Sequence, residues 1–416
     1  MRANGLTRHA QVTPRASTRV VLMSKDFRLI ALVATLSLSA IVLSACSGGG
    51  SSPASSNSAP AGPQKALESA YAGVVSDQSP LAVDFAKDEQ NVAIISCSLA
   101  IPSCAASATA VSDAVTRAGW WPMVIDGGGG AGMGLAIRTA IAQAATVIVA
   151  IDTNCKGLEG AYDEVALAQI PVVALGGDDD CTPPRWAAVS RWTADHPVGL
   201  RQTMVGTLQA DYAYGKVAGK VKALVLTVPG DPTTTTIAAG FAARLKALGA
   251  GEVVQTLELS AAEIADNTFV TKVVEAATTS GVNAIIVPED DWLTTGGLAT
   301  AIARDAKTAK LLVIGHGGTA AALDIIRSGR AGLTATVGQA FEWLGFGAVD
   351  AIVRLLAGAP AVAIGDAMQV VDIDHNMPES GRYTGGVDAE KKYTALWLHP
   401  TPTPTPTRAP TPVTTG

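Results

Sequence analysis

Eight carboxylates stand at or just past the ends of short apolar runs: Asp126, Asp152, Asp178, Asp179, Asp180, Glu289, Asp290 and Asp291. A carboxylate offers two acceptor oxygens, so such a set can take hydrogen bonds from a hydroxyl-rich solute or hold an ammonium group. Trp292 and Trp343 lie next to these loops, and an indole face can stack on a sugar ring or on a cation. The plainer alternative has the acids cap the helices that follow them, since helix N-termini favour negative charge. Catalysis has little support. Neither a Gly-x-Ser-x-Gly nucleophile elbow nor a metalloprotease helix occurs. A glycosidase would need two acids at a fixed separation across the sugar, which composition alone does not supply. No catalytic residue and no cofactor is assigned. "DGGGGAGMG" (126–134) has the setting of a phosphate-binding turn but no Walker lysine, and its surroundings are acidic, so it reads as a flexible strand–helix loop.

The elements that must position these acids follow from patterning. "NVAIISC" (91–97), "WWPMVID" (120–126), "ATVIVAID" (145–152) and "IPVVALGG" (170–177) read as strands. Helical spacing fills the gaps at 104–119, in "MGLAIRTAIAQA" and in "GAYDEVALAQ". Strands that are apolar throughout and alternate with helices imply a parallel sheet covered on both faces. The pattern restarts at "KALVLTV" (222–228) and runs through "GEVVQTLEL", "VNAIIVPED", "KLLVIGHGG" and "LTATVGQ" (333–339). The fold class is α/β, with two doubly wound parallel-sheet lobes. A long helical connection at 195–216 lies between them. Open α/β sheets bind ligands outside the carboxyl ends of their strands, where the acids fall.

Ahead of this body, Lys25 and Arg28 precede a 15-residue apolar run, "LIALVATLSLSAIVL" (29–43). A spanning helix needs roughly 20 residues, so residues 1–45 read as a secretory leader. The run stops at "LSAC", which resembles the bacterial lipobox. That resemblance implies cleavage before Cys46 and a diacylglycerol on its sulfur, with each buried CH₂ contributing about 0.8 kcal/mol to membrane attachment. Residues 46–87 read as the lipidated cysteine and a flexible tether, because Gly, Ser, Ala and Pro bury too little surface to offset chain ordering. Residues 399–416 alternate Pro and Thr and favour extended polyproline II. Loss of 1–45 leaves 24 Lys and Arg against 35 Asp and Glu, so the net charge moves from −6 to −11. That balance argues against a nucleic-acid partner. No second apolar stretch approaches spanning length, so the body reads as soluble. Beyond Cys46 stand Cys97, Cys104, Cys155 and Cys181. Four cysteines in an exported chain suggest two disulfides, with three pairings open. No Cys-x-x-Cys pair exists and the five histidines are scattered, so no metal is assigned.

The order and spacing of elements over 88–375 resemble the type I periplasmic binding proteins, the ribose-binding and related sugar-binding group. "VNAIIVPEDDW" stands where the family has a strand followed by an Asn-Asp-Glu-like turn. "LLVIGHGGT" stands where it has Val-Gly-Phe-Asp-Gly, and "LTATVGQAFEWLGFGAVDAIVRLLAG" is similar to its Ala-Thr-Val-x-Gln, Gly and helix. The resemblance implies one lobe of 88–216 plus 340–368 and a second of 217–339 plus 369–398. The chain would cross between them near 216, 339 and 369, with a ligand in the cleft. It also implies a binding protein without enzymatic activity, outside the cytoplasm and lipid-anchored, expected to be a monomer. Such a protein delivers a small polar, sugar-like molecule to an ABC transporter permease. A sensor whose closure is read by a membrane receptor would look alike.

Carried over residue by residue, Asp195 in "DHPVG" matches the family's cleft aspartate, and Gln339 matches the glutamine at the second crossing. Departures are several. Gly317, with His316 beside it, stands where sugar-binding relatives have Asp. Glu289 replaces an Asn, "AIPSC" replaces an Asn and an aromatic pair, and Thr235 stands at an expected Arg. The expected ligand contacts are therefore Asp195, Gln339, Glu289, Asp290, Trp292, His316, Trp343 and Asp178. They admit a cationic or amine-bearing ligand as well as a neutral sugar. The family architecture also puts Cys155 and Cys181 after successive strands of one lobe, and Cys97 and Cys104 around a single strand–helix loop. It thereby favours the pairs Cys97–Cys104 and Cys155–Cys181.

Overall fold

The computed structural model describes residues 62–75, 82–83, 88–177, 179–190, 198–362 and 364–397, with the backbone alone at 189–190 and 198–200. The leader, Cys46, Asp178, Asp195 and the Pro/Thr tail lie outside the described residues. Helix α1 (Gly62–Ala72) and the short strand β1 (Val74–Val75) come first. Next come β2 (Asn91–Ser96), α2 (Pro102–Arg117), β3 (Trp121–Asp126), α3 (Met133–Ala142), β4 (Val147–Ile151), α4 (Glu159–Leu167), β5 (Val172–Leu175) and β6 (Ala188–Ser190). Strands β2 to β6 form an all-parallel sheet in the order β3-β2-β4-β5-β6. Alternate residues of β2 and β4 feed two cores. Val92, Ile94 and Val149 pack with Val111 and Val115 of α2. Ala93, Ile95 and Ile148 pack with Ile137 of α3 and Tyr162 of α4. Burial on both faces is why these strands are apolar without alternation. Pro102 opens α2 at a position whose N–H would be unpaired in any case, and Gly119 past its end, at φ 83°, turns the chain back toward β3.

The second sheet is built from α5 (Val198–Lys216), β7 (Val221–Thr227), α6 (Pro232–Ala247), β8 (Gly251–Glu258), α7 (Ala261–Ala265), α8 (Phe269–Thr279), β9 (Ala284–Ile286), the one-turn α9 (Asp290–Leu293), α10 (Leu298–Arg304), β10 (Leu312–Gly317), α11 (Ala320–Arg327) and β11 (Ala335–Gly338). Helix α12 (Phe341–Leu356), strand β12 (Ala367–Val371) and helix α13 (Ala389–Trp397) complete the body. The strand order is β1-β12-β11-β10-β9-β7-β8. Strands β11, β10, β9, β7 and β8 run parallel; at one edge β12 pairs antiparallel with β11, and β1 antiparallel with β12. The α/β class with doubly wound parallel sheets is thus observed, the two edge strands β12 and β1 being the addition.

Three boundaries differ from the expectation. Residues 62–75 are not tether. Ala66 and Ala70 of α1 are buried, and Tyr71 donates to Asp372 Oδ2 at 2.6 Å while its ring stacks on His375. Helix α5 packs on α6 and on β10 to β12, not on the first sheet. Gly206 and Gly240 let the two helices approach closely: a Cβ on Gly206 would lie 2.1 Å from the Ile237 carbonyl oxygen, and one on Gly240 2.5 Å from that of Thr203. Residues 369–398 are expected in the second lobe, but α13 within them docks on the first. There Tyr393 and Trp397 join Trp343 and Phe346 in an aromatic cluster with centroids 5.1 to 5.9 Å apart. The long helix α12, buried on nearly every side, lies in the first lobe, against α2. Both disulfides, Cys97–Cys104 and Cys155–Cys181, are formed.

Candidate functional site

A cavity of about 740 Å³ opens where the carboxyl ends of both sheets face each other. The first lobe contributes the Cys97–Cys104 disulfide, Ser103 at the start of α2, and Asp152 after β4. The second contributes Arg201 and Gln202 from α5, Asp231 before α6, and Phe269 from α8. Glu289, Asp291 and Trp292 enter around α9, His316 from β10 and Gln339 just after β11. Parallel strands bring these side chains together because all their carboxyl ends lie on one edge.

The acids differ in their partners. Asp152 leaves β4 at φ 44°, a backbone region that non-glycine residues seldom occupy outside sites that need it. Its carboxyl is open toward the cavity but hemmed in elsewhere, and it has no side-chain hydrogen bond or ion pair among the described residues. Burial by these walls pushes it up to about 6, against the pull of Arg201. Gly176 lies beside it, where a Cβ would come within 2.0 Å of Asp152 Oδ1. Glu289 is half-buried and likewise has no side-chain partner among the described residues. Burial raises it well above the usual carboxylate range, and repulsion from Asp291, Asp152, Asp231 and Asp290 adds to this. Asp291 reaches across the cleft: its Oδ2 accepts from the Ser103 hydroxyl at 2.6 Å and from the Ser103 N–H at 3.3 Å. Its Oδ1 is buried without a partner among the described residues. Asp231 is engaged as the cap of α6, accepting from the Thr233 and Thr234 N–H groups.

His316 is neutral. Its Nδ1 lies 3.1 Å from the Pro288 carbonyl oxygen, which can only accept, so Nδ1 carries the hydrogen and Nε2 presents a lone pair. Burial pushes the imidazole down to about 3, and the Arg201 charge acts in the same sense. His316 Nε2 is buried without a partner among the described residues. Arg201 donates through Nε to the fully buried Asp366 Oδ2 at 2.8 Å, while its Nη2 is buried and has no partner among the described residues. Trp292 packs against Phe269, centroids 5.9 Å apart, on the rim of the cavity.

Of the residues expected to touch a ligand, Gln339, Glu289, Trp292 and His316 line this cavity. Trp343 does not. It is buried in the first-lobe core, its indole N–H donating to the Ile364 carbonyl, so it is removed from the set. Asp290 is also removed. It lies under β10 and β11, accepting from the Thr336 hydroxyl and from the Gly318 N–H. Asp126, Asp179 and Asp180 tie loops by accepting backbone N–H groups of Leu99 and Gly128, of Arg185 and Trp186, and of Lys156. Sequence reasoning missed Ser103, Arg201, Gln202 and Phe269. Ser103 sits inside the "AIPSC" departure, and that departure was the available signal. Arg201 and Gln202 sit on a helix first placed against the other lobe, which concealed them.

The sequence model of the periplasmic binding protein domain matches residues 92–360. Solved structures share the fold. One is a galactofuranose binding protein, at 16% identity and TM-score 0.56, over 74% of this chain and 99% of that one. Another is a periplasmic solute binding protein of an ABC transporter from Actinobacillus succinogenes 130z with bound D-allose, at 16% and 0.57, over 68% and 98%. A third is a periplasmic ribose ABC transporter protein from Conexibacter woesei DSM 14684, at 18% and 0.54, over 70% and 95%. No curated protein sequence matches the chain significantly. With the matched segment spanning both sheets and most of the walls between them, the chain belongs to the periplasmic binding protein family, whose members are solute-binding proteins rather than enzymes.

Proposed function

We propose that this protein captures a small hydroxyl-bearing solute of the sugar or polyol class between its two lobes and hands it to an ABC importer. The observation that carries this reading is the convergence, in one cavity, of buried polar atoms that have no hydrogen-bond partner among the described residues. They are His316 Nε2, Asp291 Oδ1 and Arg201 Nη2. Buried polar atoms are ordinarily satisfied within the fold, so a cluster of exceptions facing one cavity is best explained by a ligand that completes them. Glu289, Gln339 and Asp152 would add hydrogen bonds, and Trp292 would close over an apolar face of the solute. The leader, the lipobox-like "LSAC" and the Gly/Ser/Pro run after it support export and a lipid anchor at Cys46, which would hold the body beside its membrane partner.

Thermal denaturation of the full chain in mild detergent, against sugars, polyols, amino sugars, polyamines and nucleosides, tests the reading. A ligand at a hundred times its dissociation constant adds about 2.7 kcal/mol of stability, a readily visible rise in Tm. A hit in the sugar and polyol set is the expected result, with the shift lost in Gln339→Ala. Silence from every hydroxyl-bearing compound at millimolar concentration would refute it.

A further inference from the structure

The cavity's free groups are unequal in kind. Asp291 Oδ1 and His316 Nε2 are acceptors, in side chains that are only 8% and 6% exposed. Asp152 and Glu289 supply further carboxyl oxygens with no partner among the described residues. The charged donor opposing them is Arg201, whose Nε is already bound to Asp366, leaving Nη2; the Gln202 and Gln339 amides can donate as well as accept. Arg201 is also the one cationic side chain among the described residues that line the cavity. A neutral polyol could donate hydroxyl hydrogens to these acceptors, but it would bring no charge to offset the repulsion that Asp291 and Asp152 exert on Glu289, while Arg201 is already engaged by Asp366. Like charges at close range are unfavourable, and a cation placed among them relieves the repulsion.

We infer that the solute carries a protonated amine, an amino sugar or aminated polyol. Its ammonium lies among Asp152, Glu289 and Asp291, and a hydroxyl oxygen accepts from Arg201 Nη2. The inference rests on the binding-protein reading above and names the class of solute within it. An ammonium has three hydrogens to donate and no lone pair, which fits a wall of acceptors including a neutral histidine. The elevated Glu289 and Asp152 carboxyls give the binding a pH signature. Protonated carboxyls must ionise to hold a cation, so binding releases protons and tightens as pH rises from 5.5 toward 7. Asp290 lies beneath this cluster, Asp231 is held by α6, and His316 stays neutral throughout that range, so none of them reverses the direction.

Matched probes test the inference by calorimetry on the full chain: glucosamine against glucose and N-acetylglucosamine, and glucamine against glucitol. The expected result is that the amines bind at least tenfold more tightly than their neutral partners, more tightly at pH 7 than at 5.5. Glu289→Gln and Asp152→Asn should each shrink that preference while leaving the circular dichroism spectrum unchanged. A neutral member that binds as well as its amine overturns the inference and leaves the sugar or polyol reading standing. Absence of binding by every member, neutral or amine, at 10 mM overturns both.

Discussion

Glu289, Asp290 and Asp291 are consecutive, yet the first and last face the cavity while the middle one turns beneath the sheet. At Asp290 the surrounding atoms leave room only for the carboxylate itself: a Cβ at Gly315 would lie 2.0 Å from its Oδ1. Burial pushes this carboxyl up to about 7, overcoming the hydrogen bonds from Gly318 and Thr336 that favour the ionised form. The folded chain therefore retains a proton that the unfolded chain loses near pH 4, and the stability this contributes declines as pH rises between those values. Asp290→Asn cannot titrate. Urea unfolding at pH 5 and pH 8 should show the advantage of wild type over this variant shrinking by about 2 kcal/mol at the higher pH. An unchanged gap would mean that Asp290 is ionised at both. The sequence located this acidic turn at the end of a strand. It did not show which acid faces the solute, because a one-turn helix points successive side chains in directions that only the neighbouring strands decide.

Helices α5 and α6 pack backbone to backbone through Gly206 and Gly240. A methyl group at either position must push the helices apart or distort Thr203 and Ile237, and overpacking of this kind costs roughly 1–3 kcal/mol. Gly206→Ala should lower Tm, and because Arg201 and Gln202 ride on the same helix it should also weaken ligand binding. Exposed Gly160 of α4 has open space beside it, and Gly160→Ala is the control that should do neither. The strands were legible as elements because burial on both faces writes an uninterrupted apolar run. The lobe to which α5 belongs was not. Its apolar residues specify that one face is covered, and the same pattern would suit either sheet. Helix α13 was missed as an element for a related reason: its anchors, Tyr393 and Trp397, find partners in α12, far away in sequence.

At the scale of the molecule, the Ser103–Asp291 pair is a direct polar bridge between lobes at the mouth of the cavity. Closure of binding proteins of this architecture is an equilibrium between open and closed forms, so a bridge of this sort biases it without a ligand. Ser103→Ala should open the unliganded protein, raising its radius of gyration in small-angle X-ray scattering, while saturating ligand restores the wild-type value. An unaltered scattering curve without ligand would show that the bridge does not govern closure. The two-lobed plan was legible from the repeated alternation of strands and helices, whereas the bridge joins residues 188 positions apart and nothing local announces it. Helix α1 belongs to the second sheet and helix α13 to the first, so the two ends of the described body sit on opposite halves of the hinge. Lys65 and Lys391 are both exposed there. The molecule thus comes with two handles, one on each jaw, between which opening and closing register as a change in length.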